Sequence, residues 1–332
     1  MLINAYYYAP HNHSLLTRHL RADLKLMASL GTDLVSVCVA ESQLTNWHQQ
    51  RLRNTVDLIH EYGMRACAIP NRWAGLTAGW FDGFSHFTLM NPDALIEEAP
   101  GRPRLKGEMP CCVNKTKVRD HIRHTLDVML DGFEFDALIW DEPHAHPCAC
   151  DACQRDHGTP DADRYNASFV RFIDDMNRHA RAVRPDLMTG VFVEPHDRGL
   201  LEALLRSKTL DYAGSDGHIR RPSYRMHRMK RTIFEAYDEF APLIHAAGLG
   251  SVFLPEGQRH RDEDLQEYIK HVDAAFALPM DQLLFYFSAH EMTPASEQPF
   301  NEATWSAVQR VAHRRQTTPT SALKRQTHQA RS

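Results

Sequence analysis

The chain has 332 residues, of which 43% are hydrophobic and 24% charged, with a formal net charge of −4. This composition describes a globular protein without the polycationic surface that nucleic-acid binding requires. No apolar run approaches the roughly 18 residues of a membrane helix, and the opening MLINAYYYAP has neither a basic start nor a long apolar stretch, so a cytoplasmic protein with no membrane partner is expected. Seven cysteines, an odd number with three bunched together, fit metal binding in a reducing compartment better than a disulfide scaffold. Association into a homo-oligomer is left open.

A strand containing Tyr6-Tyr7-Tyr8 comes first. Leu16, Leu20, Leu24 and Met27 then recur at helical spacing and stop at Gly31. The same unit repeats: a strand at 33–40, a helix from Thr45 to Tyr62 ended by Gly63, and a strand at 64–70. An aromatic, Gly- and Pro-rich loop covers 71–112, and a helix over 115–130 leads into the strand FDALIW at 135–140. Phe169, Phe172, Ile173 and Met176 share one face of the next helix, followed by a strand at 187–193, a short helix near 198–207 and a strand at 209–215. The closing units are a helix over 222–247, a strand at 250–255, a helix over 262–277, a strand at 282–288 and a final helix near 301–313.

Strands that read as nearly continuous apolar runs are strands buried on both faces. Eight of them alternating with eight helices predict a (β/α)8 TIM barrel, an α/β fold, over residues 1–313 as a single domain. Its two notable loops are 71–112 and the cysteine-bearing 141–158. An open doubly wound sheet is the competitor, but no GxGxxG or phosphate loop follows any strand. The segment 314–332 lacks apolar periodicity and reads as a disordered basic tail.

In such a barrel, chemistry collects at the C-terminal ends of the strands. Asp141 and Glu142 follow the fourth strand, Glu194 and His196 the fifth, Asp216 and His218 the sixth, Glu256 the seventh, and His290 with Glu291 the eighth. Two carboxyls facing each other across a cleft suit glycosidic bond cleavage, one held protonated to release the leaving oxygen and the other ionised. Glu142 and Glu256 are the pair expected to do this. Charge directly after an apolar strand, with Pro143 fixing the exit, singles out Glu142; Glu194 is a rival nucleophile or a substrate ligand. Tyr6, Tyr8, Trp73, Trp80, Phe81 and Tyr286 are candidates to stack on sugar faces, and His11 and His13 to bind hydroxyls.

Cys148, Cys150 and Cys153 form C-x-C-x-x-C, in which three thiolates can converge on one ion with little chain between them. A closed four-cysteine shell on zinc leaves no position for water or substrate, so this zinc would be structural. Cys111 or Cys112 would complete the shell, with His146 a lesser candidate, while Cys38 and Cys67 read as small core residues.

These residues resemble the clan A glycoside hydrolases, and more specifically the β-galactosidase family 42. The resemblance implies a (β/α)8 barrel with an acid/base Glu closing the fourth strand and a nucleophilic Glu on the seventh, positions matched by Glu142 and Glu256. Family 42 enzymes often carry zinc on one upstream cysteine plus a C-x-C-x-x-C set after the acid/base, as here. Asp141 stands where the clan usually has Asn. The implied reaction is retaining hydrolysis of a carbohydrate, with Asp141, Glu194, His11, His13, His218, Asp216, Tyr8, Trp80 and Tyr286 around the sugar. Two rival readings share the barrel. One is a metal-dependent amidohydrolase using His11, His13, His196 and His218; the other is a carbohydrate-binding barrel without turnover.

Overall fold

The computed structural model describes residues 1–8, 16–44, 48–78, 85–105, 109–143, 145–158, 161–220, 231–256, 265–288, 293 and 298–317. In chain order its elements are β1 (Leu2–Tyr8), α1 (Thr17–Ser29), β2 (Leu34–Ala40), α2 (His48–Glu61) and β3 (Arg65–Asn71). Then come α3 (His86–Met90), the short strands β4 (Glu97–Ala99) and β5 (Arg102–Pro103), α4 (Thr116–Gly132), β6 (Ala137–Asp141), α5 (Asp151–His157) and α6 (Ala162–Val183). The last part runs β7 (Met188–Val193), α7 (Arg198–Leu204), β8 (Tyr212–His218), α8 (Ile233–Ala246), β9 (Gly250–Glu256), α9 (Leu265–Phe276), β10 (Gln282–Ser288) and α10 (Gln298–Thr317).

Strands β1, β2, β3, β6, β7, β8, β9 and β10 close on themselves in that order as a parallel barrel, so the expected fold is the observed one. Side chains alternate along each strand. Leu34, Ile69, Ala137, Ile139, Phe192, Val252, Leu254 and Leu284 fill the interior, while the opposite faces pack on helices through residues such as Ile3, Val35, Leu138, Val191 and Phe253. Between β8 and β9 the backbones approach so closely that a Cβ at Gly214 would run into the Val252 carbonyl. Helices α1 and α2 end where the sequence predicts: Gly31 and Gly63 take φ of +80° and +76°, which a side chain would oppose. Thr232 and Glu235 form a reciprocal capping box at the start of α8.

Several boundaries differ from the sequence expectation: the helix expected over 222–247 begins at Ile233, with 221–230 outside the described residues, and the expected 141–158 loop contains α5. The 71–112 segment is not one plain loop but carries α3, the β4–β5 hairpin and single turns of 3-10 helix at Trp73–Gly75 and Pro92–Ala94. Glu41, directly after β2, organises it: its carboxylate accepts from Ala74 N at 2.9 Å, Ser85 Oγ at 2.8 Å and His121 Nε2 at 2.9 Å. Strand β8 continues three residues past Ser215, so Asp216 and His218 lie within the strand rather than after it. Helix α10 runs to Thr317, past the expected end at 313, because Val311 and Ala312 are buried and Arg315 pairs with Asp33 at the start of β2. Arg314 to Thr317 are therefore helical and not part of a tail, and 318–332 lie outside the described residues.

Candidate active site

The barrel alternation decides which strand-end residues face inward. In β8, Tyr212 belongs to the interior cluster, so Asp216 and His218, two and three pairs of steps along the same face, point inward as well. In β9 the interior residues Val252 and Leu254 put Glu256 on the same side, and in β6 Ala137 and Ile139 do so for Asp141. All four are buried, with Asp216 only 2% and Glu256 4% exposed. The fourth, sixth and seventh barrel strands thus converge three carboxyls and an imidazole on one mouth.

Glu142 is out of phase with Asp141 and would point away from the barrel on a regular strand. Instead its φ is +38°, a left-handed value rare for a residue with a side chain. Its N–H still donates to Phe192 O at 2.8 Å, so the turn falls at the strand's last hydrogen bond. The carboxyl joins the same group: Oε1 is buried, and the side chain meets Asp216 with Asp141, Glu194 and Glu256 around it. Burial first, then the charge of Asp141, holds Glu142 well above the ordinary carboxyl range; Glu194 and Glu256 push the same way. Asp216 is raised by burial and by Glu142 and Glu256.

Asp141 is raised to about 7 by burial, against the pull of a hydrogen bond from Tyr6 and the charge of Arg72. Tyr6 Oη donates to Asp141 Oδ2 at 2.8 Å, and its ring stacks on Tyr286 with centroids 5.2 Å apart. Glu256 meets His218, whose Nδ1 is 3.3 Å from Oε2. Glu194 is engaged by His196 Nε2 at 2.9 Å, nearer the surface. The mouth therefore holds a carboxyl raised well above its ordinary range, as a general acid needs, and a second buried carboxyl beside an imidazole.

Tyr8 ends β1, opposite Ser288 of β10. His11, His13, Trp80, Phe81, His290 and Glu291 lie outside the described residues. Trp73 is not a stacking platform: it is fully buried, with its indole N–H donating to Val39 O at 2.7 Å. Sequence reasoning passed over Arg72, whose φ of +55° ends β3 and whose charge acts on Asp141. A cation placed directly after the third strand was the available signal.

Beyond β6, Cys112, Cys148, Cys150 and Cys153 bring their sulfurs within 4.8 Å of one another. Cys112 rather than Cys111 completes the set. Cys111 pairs with Leu95 in a β-bridge and turns its sulfur to Thr88 Oγ1 at 3.5 Å, and its neighbour in the chain faces the opposite way. Two N–H groups point at the sulfurs, Glu97 N at 3.3 Å from Cys148 and Asn114 Nδ2 at 3.3 Å from Cys153. Lys115 adds positive charge next to Cys150 and Cys112 while its ammonium bonds Glu97. Donors and a cation around four soft ligands are what a thiolate-bound divalent ion needs.

No family model matches the sequence, and no curated protein matches it. Solved structures do. A cold-adapted β-galactosidase from Rahnella sp. R3 superposes with a TM-score of 0.63 at 13% identity, over 94% of this chain and 55% of its own. An endo-1,4-β-D-mannanase from Thermotoga petrophila RKU-1 gives 0.60 at 10% identity, over 94% of this chain and 99% of its own. The catalytic domain of a β-amylase from Paenibacillus polymyxa gives 0.60 at 8% identity, over 92% of this chain and 98% of its own. The chain spans little more than half the length of that β-galactosidase. Likeness at these identities is likeness of fold, and function has to be argued from the site.

Proposed function

We propose that the chain is a glycoside hydrolase with Glu142 as acid/base and Glu256 as nucleophile. The observation that carries this reading is the left-handed backbone at Glu142. It turns a protonated carboxyl into the same buried mouth as Glu256, at the strand ends where barrel enzymes do their chemistry. The names of the structures sharing the fold support a glycosidase, and a β-galactoside is the substrate we would offer first. Asp141, Glu194, His218 and Tyr286 would line the sugar pocket.

In the retaining route, Glu256 attacks the anomeric carbon while Glu142 gives its proton to the leaving oxygen. Glu142 then takes a proton from water as it displaces the sugar from Glu256. His218, with Nδ1 3.3 Å from Glu256 Oε2, would sit beside the nucleophile. Cys112, Cys148, Cys150 and Cys153 would hold a structural zinc, whose closed tetrahedral shell pins the segment that leaves Glu142. We place the protein in the cytoplasm, where such thiols stay reduced.

The test is steady-state hydrolysis of a panel of aryl glycosides by the wild type, Glu142→Gln and Glu256→Gln. Loss of about 10³-fold or more in kcat is expected for each variant, with Glu142→Gln retaining more activity on good leaving groups, which need no proton. Undiminished turnover in Glu142→Gln would refute the assignment.

A further inference from the structure

A two-carboxyl mechanism leaves Asp216 without a task, yet it is the most deeply buried acid of the mouth. The alternation of β8 aims it inward. Its Oδ1 and the Oε1 of Glu142 are both buried, and neither receives a hydrogen bond from an N–H or O–H among the described residues. The two side chains meet each other instead. A contact between two carboxylates leaves acceptors unsatisfied, and a proton held between the carboxyls removes that penalty. A cation could also satisfy them. Among the described residues, however, only the cysteine quartet gathers three or more His, Cys, Asp or Glu ligand atoms closely enough to hold one.

We propose that Asp216 and Glu142 share a single proton, Asp216 serving as a positioning residue that keeps Glu142 loaded as the general acid. The catalytic part of this inference rests on the hydrolase reading above. The surrounding charges favour sharing. Glu142 is faced by Asp141 from β6, Glu194 after β7 and Glu256 from β9, and Asp216 by Glu256 and Asp141. Of the basic groups among the described residues, Arg72 acts on Asp141, and the His218 and His196 imidazoles lie against Glu256 and Glu194. With acids on these sides, stripping both protons costs Coulomb energy that one shared proton avoids. In the first step that proton goes to the glycosidic oxygen, which also takes the electron pair of the breaking C–O bond, and the pair becomes a dianion. In the second, water attacks the anomeric carbon, the bond to Glu256 breaks with its electrons returning to that carboxylate, and the proton released by water reloads the pair.

Infrared difference spectroscopy of the protonated-carboxyl band tests the pairing without any substrate. Between about pH 5 and about pH 9, Asp216→Asn and Glu142→Gln should each remove one carboxyl equivalent of neutral-pH band, and the double variant no more than either single one. In each variant the new amide donates to the remaining carboxylate and lets it ionise. Additive loss in the double variant, or a Glu142 band that persists in Asp216→Asn, would overturn the proposal. Asp216→Ser, which also offers a donor, repeats the test if the Asn protein melts early. For turnover, Asp216→Asn should move the alkaline limb of kcat/KM on poor leaving groups toward acid by about one pH unit, whereas a merely structural role would lower rates with the limb in place. A wild type that shows the shared proton yet cleaves no glycoside would support the pairing and count against the hydrolase reading, so the two failures are separable.

Discussion

At the scale of single residues, the mouth buries acids at a cost in stability. Asp141, buried and raised to about 7, binds a proton in the native state that the unfolded chain releases near its ordinary value of 3.8. Stability from that proton is complete below the unfolded value and is lost as pH rises from about 4 through about 7. Asp141→Asn keeps an oxygen for Tyr6 to donate to and removes the buried charge. It should therefore raise stability at about pH 8 by on the order of 2 kcal/mol and leave it nearly unchanged at about pH 4, read by denaturant titration at both pH values. Equal gain at both would show that the Asp141 proton is not the cause. Glu142 was legible in the sequence because a charge ended an apolar strand ahead of a proline. Asp216 was placed after its strand because polarity was taken as the boundary, whereas a barrel admits polar residues on the inner face near its mouth. The choice between Cys111 and Cys112 could not be read at all: neighbours on an extended segment face opposite ways, and only the bridge to Leu95 settles which one turns to the other cysteines.

At the scale of elements, the insert after β3 is fastened by one acid. Burial alone would push the Glu41 carboxyl up, but hydrogen bonds from His121 and the backbone N–H groups of Ala74 and Phe87 outweigh it and hold it below its ordinary value. The Phe87 ring stacks on His121, with centroids 4.0 Å apart, and closes the same junction. Glu41→Ala strands several buried donors and should cost on the order of 3 kcal/mol, with proteolysis starting inside 85–105 before the barrel is cut. Cleavage first in another segment would contradict that. None of this was visible in the sequence, because α3 and the β4–β5 hairpin are too short to show a period, and Glu41 finds its partners across tens of residues. The barrel strands were legible for the opposite reason: burial on both faces makes each a continuous apolar run.

At the scale of the molecule, the cysteine quartet brings the segment before α4 against the segment that leaves β6 and the first turn of α5. If the quartet holds zinc as proposed, elemental analysis should find one ion per chain, lost in a Cys148→Ser, Cys150→Ser variant. Chelation should then lower Tm and activity together. An ion that survives removal of those cysteines would move the metal elsewhere. Closure of the ring depends on the far end as well. Arg315 of α10 holds Asp33 beside β2 and also donates to Met1 O at 3.4 Å. Arg315→Ala should cost about 1 kcal/mol in denaturant unfolding, since the pair is only partly buried. The central claim concerns chemistry in the barrel mouth, and trapping tests it most directly. The protein would be reacted with an activated 2-deoxy-2-fluoro-β-galactoside, which forms the glycosyl-enzyme and releases it slowly, and then digested for mass spectrometry. A sugar adduct on Glu256 is the predicted result. An adduct on another residue, or none from protein that hydrolyses the parent galactoside, would contradict it.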